Sequence, residues 1–357
     1  MAAAPAPRRP LTRSPWPLGL RRLIGVAAES YATPMGELTA IDLFSGAGGL
    51  SLGLEMAGFR ARLAVELDAD ACATYREALP GVEVRQASVV GFDFSPWRGG
   101  IDLVAGGPPC QPFSTGGLMQ GRRDARDMLP VFVRAVQEVR PRAFLMENVP
   151  GLASRAHEGY LREALAPLSG AYRITSKVLN AADFGVPQSR RRLFVVGSCE
   201  GEIELPGGSG GRPRPAGEVL GAEPLGEPNP SRIVDAKTPD LRPDPYHGQL
   251  FNGGGRPIDL ARPAPTILAS AGGNKTHFLD LEGLVPPYHA HLLRGGKPYV
   301  GELPGARRIT VEESAALQTF PAGMRFHGRR SAQYAQVGNA VPPLLAWAAL
   351  KAVVPGV

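Results

Sequence analysis

The chain has 357 residues, 43% of them hydrophobic and 20% charged, enough to bury one large core or two modest ones without a disulfide or metal staple. Its apolar runs fall short of the roughly 18 residues a membrane-spanning helix needs, which excludes an integral helical membrane protein. Three widely spaced cysteines, Cys72, Cys110 and Cys199, exclude a disulfide framework and a cysteine-rich zinc site and point to a reducing, cytoplasmic setting. The formal charge of +6 is concentrated at one end: residues 1–28 hold five arginines and no acid, leaving 34 basic against 33 acidic residues elsewhere. Net charge therefore says little about a polyanionic partner.

Residues 1–37, rich in Pro, Ala and Arg and without a period, read as a disordered tail. They lack the apolar stretch and cleavage site of a secretion signal; an organelle transit peptide is the competing reading, and Met35 is an alternative start. From residue 38 to about 197 the pattern predicts strands at 38–44, 61–66, 82–84, 101–105, 143–147, 172–179 and 193–196. These alternate with helices at 48–57, 69–78, 124–139 and 158–168, the signature of a doubly wound, mostly parallel α/β sheet. Composition then shifts, with 24 Gly or Pro among the 65 residues of 201–265, which predicts a smaller, loop-rich lobe over 198–305. Helical patterning resumes at 310–319 and 342–353. The expected organisation is a principal domain of 38–197 plus 336–357, the loop-rich lobe, and a connecting hinge at 306–335.

The first predicted strand runs into Asp42-Leu43-Phe44-Ser45-Gly46-Ala47-Gly48-Gly49, a glycine turn opening a helix at the sheet edge where nucleotide-like ligands bind. The strict dinucleotide pattern GxGxxG fails at Ser51. Glu66 ends the next strand 20 residues after Gly46, the distance at which a carboxylate takes ribose hydroxyls. Together they suggest an adenosine-containing cofactor; a tight turn with a strand-end acid is the bland alternative. In Gly106-Gly107-Pro108-Pro109-Cys110-Gln111-Pro112-Phe113-Ser114, glycines and prolines fix an irregular backbone that aims one cysteine outward from a strand end. Cys110 is thus a candidate nucleophile, whereas Cys72 and Cys199 read as core residues. Phe144-Leu145-Met146-Glu147-Asn148-Val149-Pro150-Gly151 ends another apolar strand in a carboxylate, and parallel strands set Glu147 and Cys110 at one edge. Gln188-Ser189-Arg190-Arg191-Arg192 puts Arg190 and Arg192 on one side of a strand, able to hold oxygens or to form a solvated surface. Gln336-Val337-Gly338-Asn339-Ala340-Val341-Pro342-Pro343 reads as a turn before the last helix.

Five ordered blocks, DLFSGAGG, PPCQPFS, ENVPG, QSRRR and QVGNAVPP, resemble the C5-cytosine DNA methyltransferase family over about residues 38–353. The resemblance implies S-adenosylmethionine as cofactor, double-stranded DNA as substrate, and a monomeric enzyme of bacterial restriction–modification type, with a cognate endonuclease acting separately. Carbon 5 of cytosine is a poor nucleophile, so a thiolate must add to C6 first; the resemblance gives that role to Cys110. It gives Glu147 the contact to N3 and the amine, and Arg192 the contact to O2, with Arg190 supporting the site. The base must leave the stack to be reached, and the loop 111–127, with Gln111 and Ser114 facing DNA, would close over it. By the same resemblance Phe44 stacks on the adenine and the Gly46, Gly48 and Gly49 backbone cradles the methionine part. Glu66 binds the ribose, and Pro108 and Asn339 complete the pocket. Ser88 stands where the family has an Asp against the adenine amine, with Asp93 as the alternative. The segment of about 198–261 would read the target, with 272–305 also able to touch DNA, and Thr266 would meet the phosphate backbone. His277, His289 and His291 are expected as solvated or DNA-facing side chains, no metal site is expected, and an RNA methyltransferase, an inactive DNA-binding protein and a dehydrogenase are the rival readings.

Overall fold

Short β-rich stretches separated by Gly-, Pro- and Asp-containing turns form a seven-stranded sheet in the computed structural model, which describes residues 38–109, 127–208 and 210–354. The strands are β1 (Leu38–Leu43), β2 (Phe59–Glu66), β3 (Glu83–Gln86), β4 (Leu103–Gly106), β5 (Ala143–Asn148), β6 (Arg173–Asn180) and β7 (Arg191–Ser198). Their order is β3-β2-β1-β4-β5-β7-β6, and β7, antiparallel to both β5 and β6, is the reversed strand in an otherwise parallel sheet. The expected mostly parallel α/β class is therefore the one observed. Helices α1 (Gly49–Met56), α2 (Ala69–Ala78), α3 (Leu129–Val139) and α4 (Glu158–Leu165) connect the strands. Further on lie strand pairs β8 (Asp235–Asp240) with β9 (Gln249–Phe251) and β10 (Phe278–Asp280) with β11 (Ala306–Arg308). Helices α5 (Val285–Leu293), α6 (Val311–Leu317), α7 (Arg330–Asn339) and α8 (Pro343–Lys351) complete the described chain.

Alternate strand residues point to opposite faces, and both faces are covered. Ala40, Ala64, Ala105, Leu145 and Phe194 pack with apolar residues of α1 and α8. Ile41, Leu43, Val65, Val104 and Met146 pack with α3 and α4 on the other side. A third, separate core joins Ile233, Leu250, Phe251, Phe278, Val285, Tyr288, Leu292 and Leu303. The fully buried Arg308 crosses it, donating to the Thr276 carbonyl (2.7 Å) and Asn252 Oδ1 (3.0 Å). A backbone bridge between Asn229 and Arg308 brings the two ends of this unit together. Ile203, Leu205, Ala216 and Leu220, in contrast, belong to the core of the sheet.

Three sequence expectations are corrected. Gln336–Asn339 is the last turn of α7 rather than a turn before the last helix, and the helix carries glycine at 338 where a Cβ would strike the Leu268 backbone. Cys199 is exposed just beyond β7, while Cys72 is buried as expected. His277 and His289 are buried instead of solvated or DNA-facing. The Arg256 amide donates to His277 Nδ1 (2.9 Å), so Nε2 carries the proton and donates to the Thr266 carbonyl (3.2 Å). Burial pushes the His277 imidazole pKa down, and a neutral ring is what these two bonds require. His289 Nε2 donates to the Arg242 carbonyl at 2.6 Å.

Candidate active site

In a parallel sheet the carboxyl ends of neighbouring strands share one rim. Leu43 is level with Val65 and with Gly106, and Gly106 with Met146, so Phe44, Glu66, Gly107 and Glu147 stand along that rim. β7 contributes from the opposite direction. Because it is antiparallel to β5, with Asn148 opposite Leu193, its first residues arrive where β5 ends, and Arg192 Nε lies 2.9 Å from Glu147 Oε1.

Glu147 is 8% exposed, and a Cβ on Gly107 would sit 3.1 Å from its Oε2. Burial pushes the Glu147 carboxyl pKa up, against the opposing pull of Arg192 and Arg190. The result is a carboxyl group able to hold a proton beside a fixed cation. Asn148, which the sequence reading quoted without a role, donates from Nδ2 to the Pro108 carbonyl (3.0 Å) and so fastens the turn two residues before Cys110. Met128 N donates to the Pro109 carbonyl (3.3 Å). Cys110, Gln111 and Ser114 lie outside the described residues, as does the segment up to 126.

Arg190 is fully buried and spends its guanidinium on main-chain carbonyls: Nη1 on Ile267 (2.9 Å), Nη2 on Gly338 (2.7 Å) and Ala340 (2.9 Å). It ties the arginine block to the last block and to the Thr266 segment. Thr266 donates from Oγ1 to the Ser189 carbonyl (2.7 Å), and Ala264 and Gln188 form a backbone bridge beside it. The three blocks 187–192, 264–267 and 336–341 are thus one cluster.

At the other end of the rim, Phe44 adopts φ +55, a strained region for a bulky residue. Gly46 follows at φ +52, where a Cβ would meet nothing within 4 Å among the described residues. Glu66 takes the Gly46 amide on Oε2 (2.8 Å) and those of Leu67 and Asp68 on Oε1 (2.8 Å each), which fixes the carboxylate at the turn. Gly49 packs against Ala340 and Val341, placing the exposed Asn339 close to the same turn. Ser88 is exposed and its Oγ accepts from Val90 N (3.1 Å). The Asp93 carboxylate accepts from Ser95 N (2.9 Å), and its hydrogen bonds to Ser95 hold its pKa below the usual value. Asp93 is thereby occupied in capping a short turn.

A family model described as C-5 cytosine-specific DNA methylase matches residues 38–218 and 270–354. The Type II methyltransferase M.AplI of Arthrospira platensis is 35% identical over 329 residues, covering 89% of this chain and 86% of its own length. The Type II methyltransferase M1.HphI of Haemophilus parahaemolyticus is 37% identical over 331 residues, with coverage of 88% and 86%. Among solved structures, a prophage-encoded E. coli protein assigned as a DNA modification methyltransferase has a TM-score of 0.64 at 26% identity, covering 89% of this chain and 99% of that one. The S. pombe Dnmt2 methyltransferase shares the fold, with a TM-score of 0.63 at 16% identity over 89% of this chain and 99% of its own. The chain is a DNA cytosine-5 methyltransferase and belongs to the C-5 cytosine-specific DNA methylase family.

Proposed function

We propose that the enzyme methylates a cytosine flipped out of a specific duplex sequence, with S-adenosylmethionine as methyl donor and Cys110 as covalent nucleophile. The observation that carries this reading is the buried Glu147–Arg192 pair at 2.9 Å, standing on the same rim as the Pro108–Pro109 turn. The Cys110 thiolate adds to C6 while Glu147 supplies a proton or hydrogen bond at N3, so the electron pair of the C5–C6 bond becomes available at C5. Arg192 holds O2, and Arg190 acts as the buried clamp behind it. Once C5 has taken the methyl group, its proton leaves to a base and the thiolate departs from C6, restoring the ring. A duplex would hide C6 from the thiol, hence the flipped base, with Gln111, Ser114 and Thr266 facing DNA.

S-adenosylmethionine supplies the activated methyl group. The residues fit it: a glycine backbone at Gly46, Gly48 and Gly49, the Phe44 ring, a strand-end carboxylate at Glu66, and Ser88, Pro108 and Asn339 around them. The family model leaves residues 219–269 unmatched, and most of that stretch falls within the separately cored unit bounded by the Asn229–Arg308 bridge. We assign target reading to that unit, with the enzyme acting as a monomer beside an independent endonuclease.

Duplex DNA carrying 5-fluorocytosine at the target tests the mechanism, since fluorine cannot leave C5 as a proton does. A denaturation-resistant protein–DNA adduct that depends on cofactor and maps to Cys110 is the expected result. Turnover without any trapped adduct would contradict a covalent route.

A further inference from the structure

Asp42 precedes the cofactor turn by two residues and is fully buried. Its Oδ2 accepts from Ser51 Oγ (2.6 Å), which in turn accepts from the Tyr75 hydroxyl (2.5 Å). Its other oxygen, Oδ1, has no hydrogen-bond partner among the described residues. The cross-strand neighbours of Asp42 are Ala64 and Ala105, so β2 and β4 offer it no donor at that level. Among the described residues, the charged groups that act on this relay are acidic: Glu66 at the end of β2 acts on Asp42 directly, and Glu55 on α1 acts on Tyr75. A buried carboxylate with one donor and a neighbouring carboxylate is expensive to keep ionised.

The same group is mechanically joined to the turn. A Cβ on Gly48 would stand 3.0 Å from the Tyr75 ring, so the tyrosine that ends the Asp42 relay also supports the glycine backbone. Glu66, which acts on Asp42 electrostatically, holds the Gly46 amide. Charge arriving in the turn will be felt at Asp42, whose burial keeps it from being screened by solvent.

We propose that Asp42 is a positioning residue of the cofactor turn that gives up a proton to the buffer when a cationic ligand enters, so that the enzyme distinguishes the sulfonium of S-adenosylmethionine from neutral S-adenosylhomocysteine. This rests on the cofactor reading above. Burial raises the Asp42 carboxyl to about 7, within the range where such an exchange is measurable. The sign follows from linkage: a positive ligand favours ionised Asp42, so raising pH through this value strengthens S-adenosylmethionine relative to S-adenosylhomocysteine. The two ligands share their carboxylate and amine, which cancel in the comparison.

Calorimetric titration of the full chain with each ligand, in buffers of different ionisation enthalpy at pH 7, counts the protons exchanged. Wild type and Cys110→Ser should release more protons with S-adenosylmethionine than with S-adenosylhomocysteine. Their affinity ratio should rise at least about threefold from pH 6 to 8, below the tenfold-per-unit ceiling for one proton. Asp42→Asn should abolish the difference and flatten the ratio. Ser51→Ala, which removes the donor that stabilises the ionised form, should move the midpoint to higher pH. Persistence of the proton difference in Asp42→Asn, or an unmoved midpoint in Ser51→Ala, would overturn the proposal. Failure of wild type to bind either ligand would instead overturn the cofactor reading on which it rests.

Discussion

Replacing Cys110 with serine is expected to abolish methyl transfer, a loss of roughly 10⁴-fold or more as for other covalent nucleophiles, while the protein still folds and binds its cofactor. The separation is structural. The glycine turn and Glu66 belong to β1 and β2, whereas the cysteine follows β4, and a hydroxyl is too weakly acidic to replace the thiolate at neutral pH. Glu147→Gln should act differently, because glutamine keeps a hydrogen bond but holds no transferable proton. Its loss should be roughly 10²–10⁴-fold, the range of general acid catalysis. Wild-type rate should fall as pH rises through the elevated Glu147 pKa, and the glutamine variant should lack that descent. Labelled-methyl incorporation into duplex DNA, with cofactor titration alongside, checks both. A Cys110→Ser enzyme that still turns over would remove the cysteine from the mechanism.

Exchange of the recognition unit has the second large effect, and the outcome depends on where the chain is cut. Grafting 229–308 from a relative with another target, while keeping this chain's Ile258, Ala264, Thr266, Ile267, Ala271 and Leu279 where they pack into the sheet core and the Arg190 cluster, should give a folded enzyme that methylates the relative's sequence, because the Asn229–Arg308 bridge brings the ends of the unit together. Grafting 198–261 should instead give insoluble protein. That cut separates Ile233, Leu250 and Phe251 from Phe278, Val285 and Tyr288, and removes Ile203, Leu205, Ala216 and Leu220 from the core of the sheet. Mismatched buried positions of this size cost about 2–5 kcal/mol each, more than an ordinary domain can lose. Solubility and the sites methylated by each chimera decide the matter; a folded 229–308 chimera that still marks the original sequence would place reading elsewhere.

The contrast between these two cuts shows what the sequence could convey. All seven strands of the sheet were legible as short β-rich stretches between turn residues, and the strand-end placement of Glu66 and Glu147 followed from parallel connectivity. The reversal of β7 was not, since an apolar run such as Leu193–Val196 has no direction written in it; that reversal is what brings Arg192 to Glu147. α7 was hidden by Gly338, a residue that ordinarily argues against a helix but here permits close approach to Leu268. A loop-rich lobe was legible, but its bounds were not, because β8 to β11 are short and its core is assembled from residues far apart in sequence. His277 and Asp42 look like surface polar residues one at a time; only packing shows both to be buried.

Base-resolution sequencing of 5-methylcytosine in the DNA of an otherwise unmethylated host expressing this chain tests the assignment most directly. The predicted result is near-complete conversion at one cytosine within a single short recurring sequence, absent when Cys110 is serine or Glu147 is alanine. Methyl groups found in tRNA rather than DNA, or on cytosine N4 or adenine N6 with carbon 5 unmodified, would contradict it.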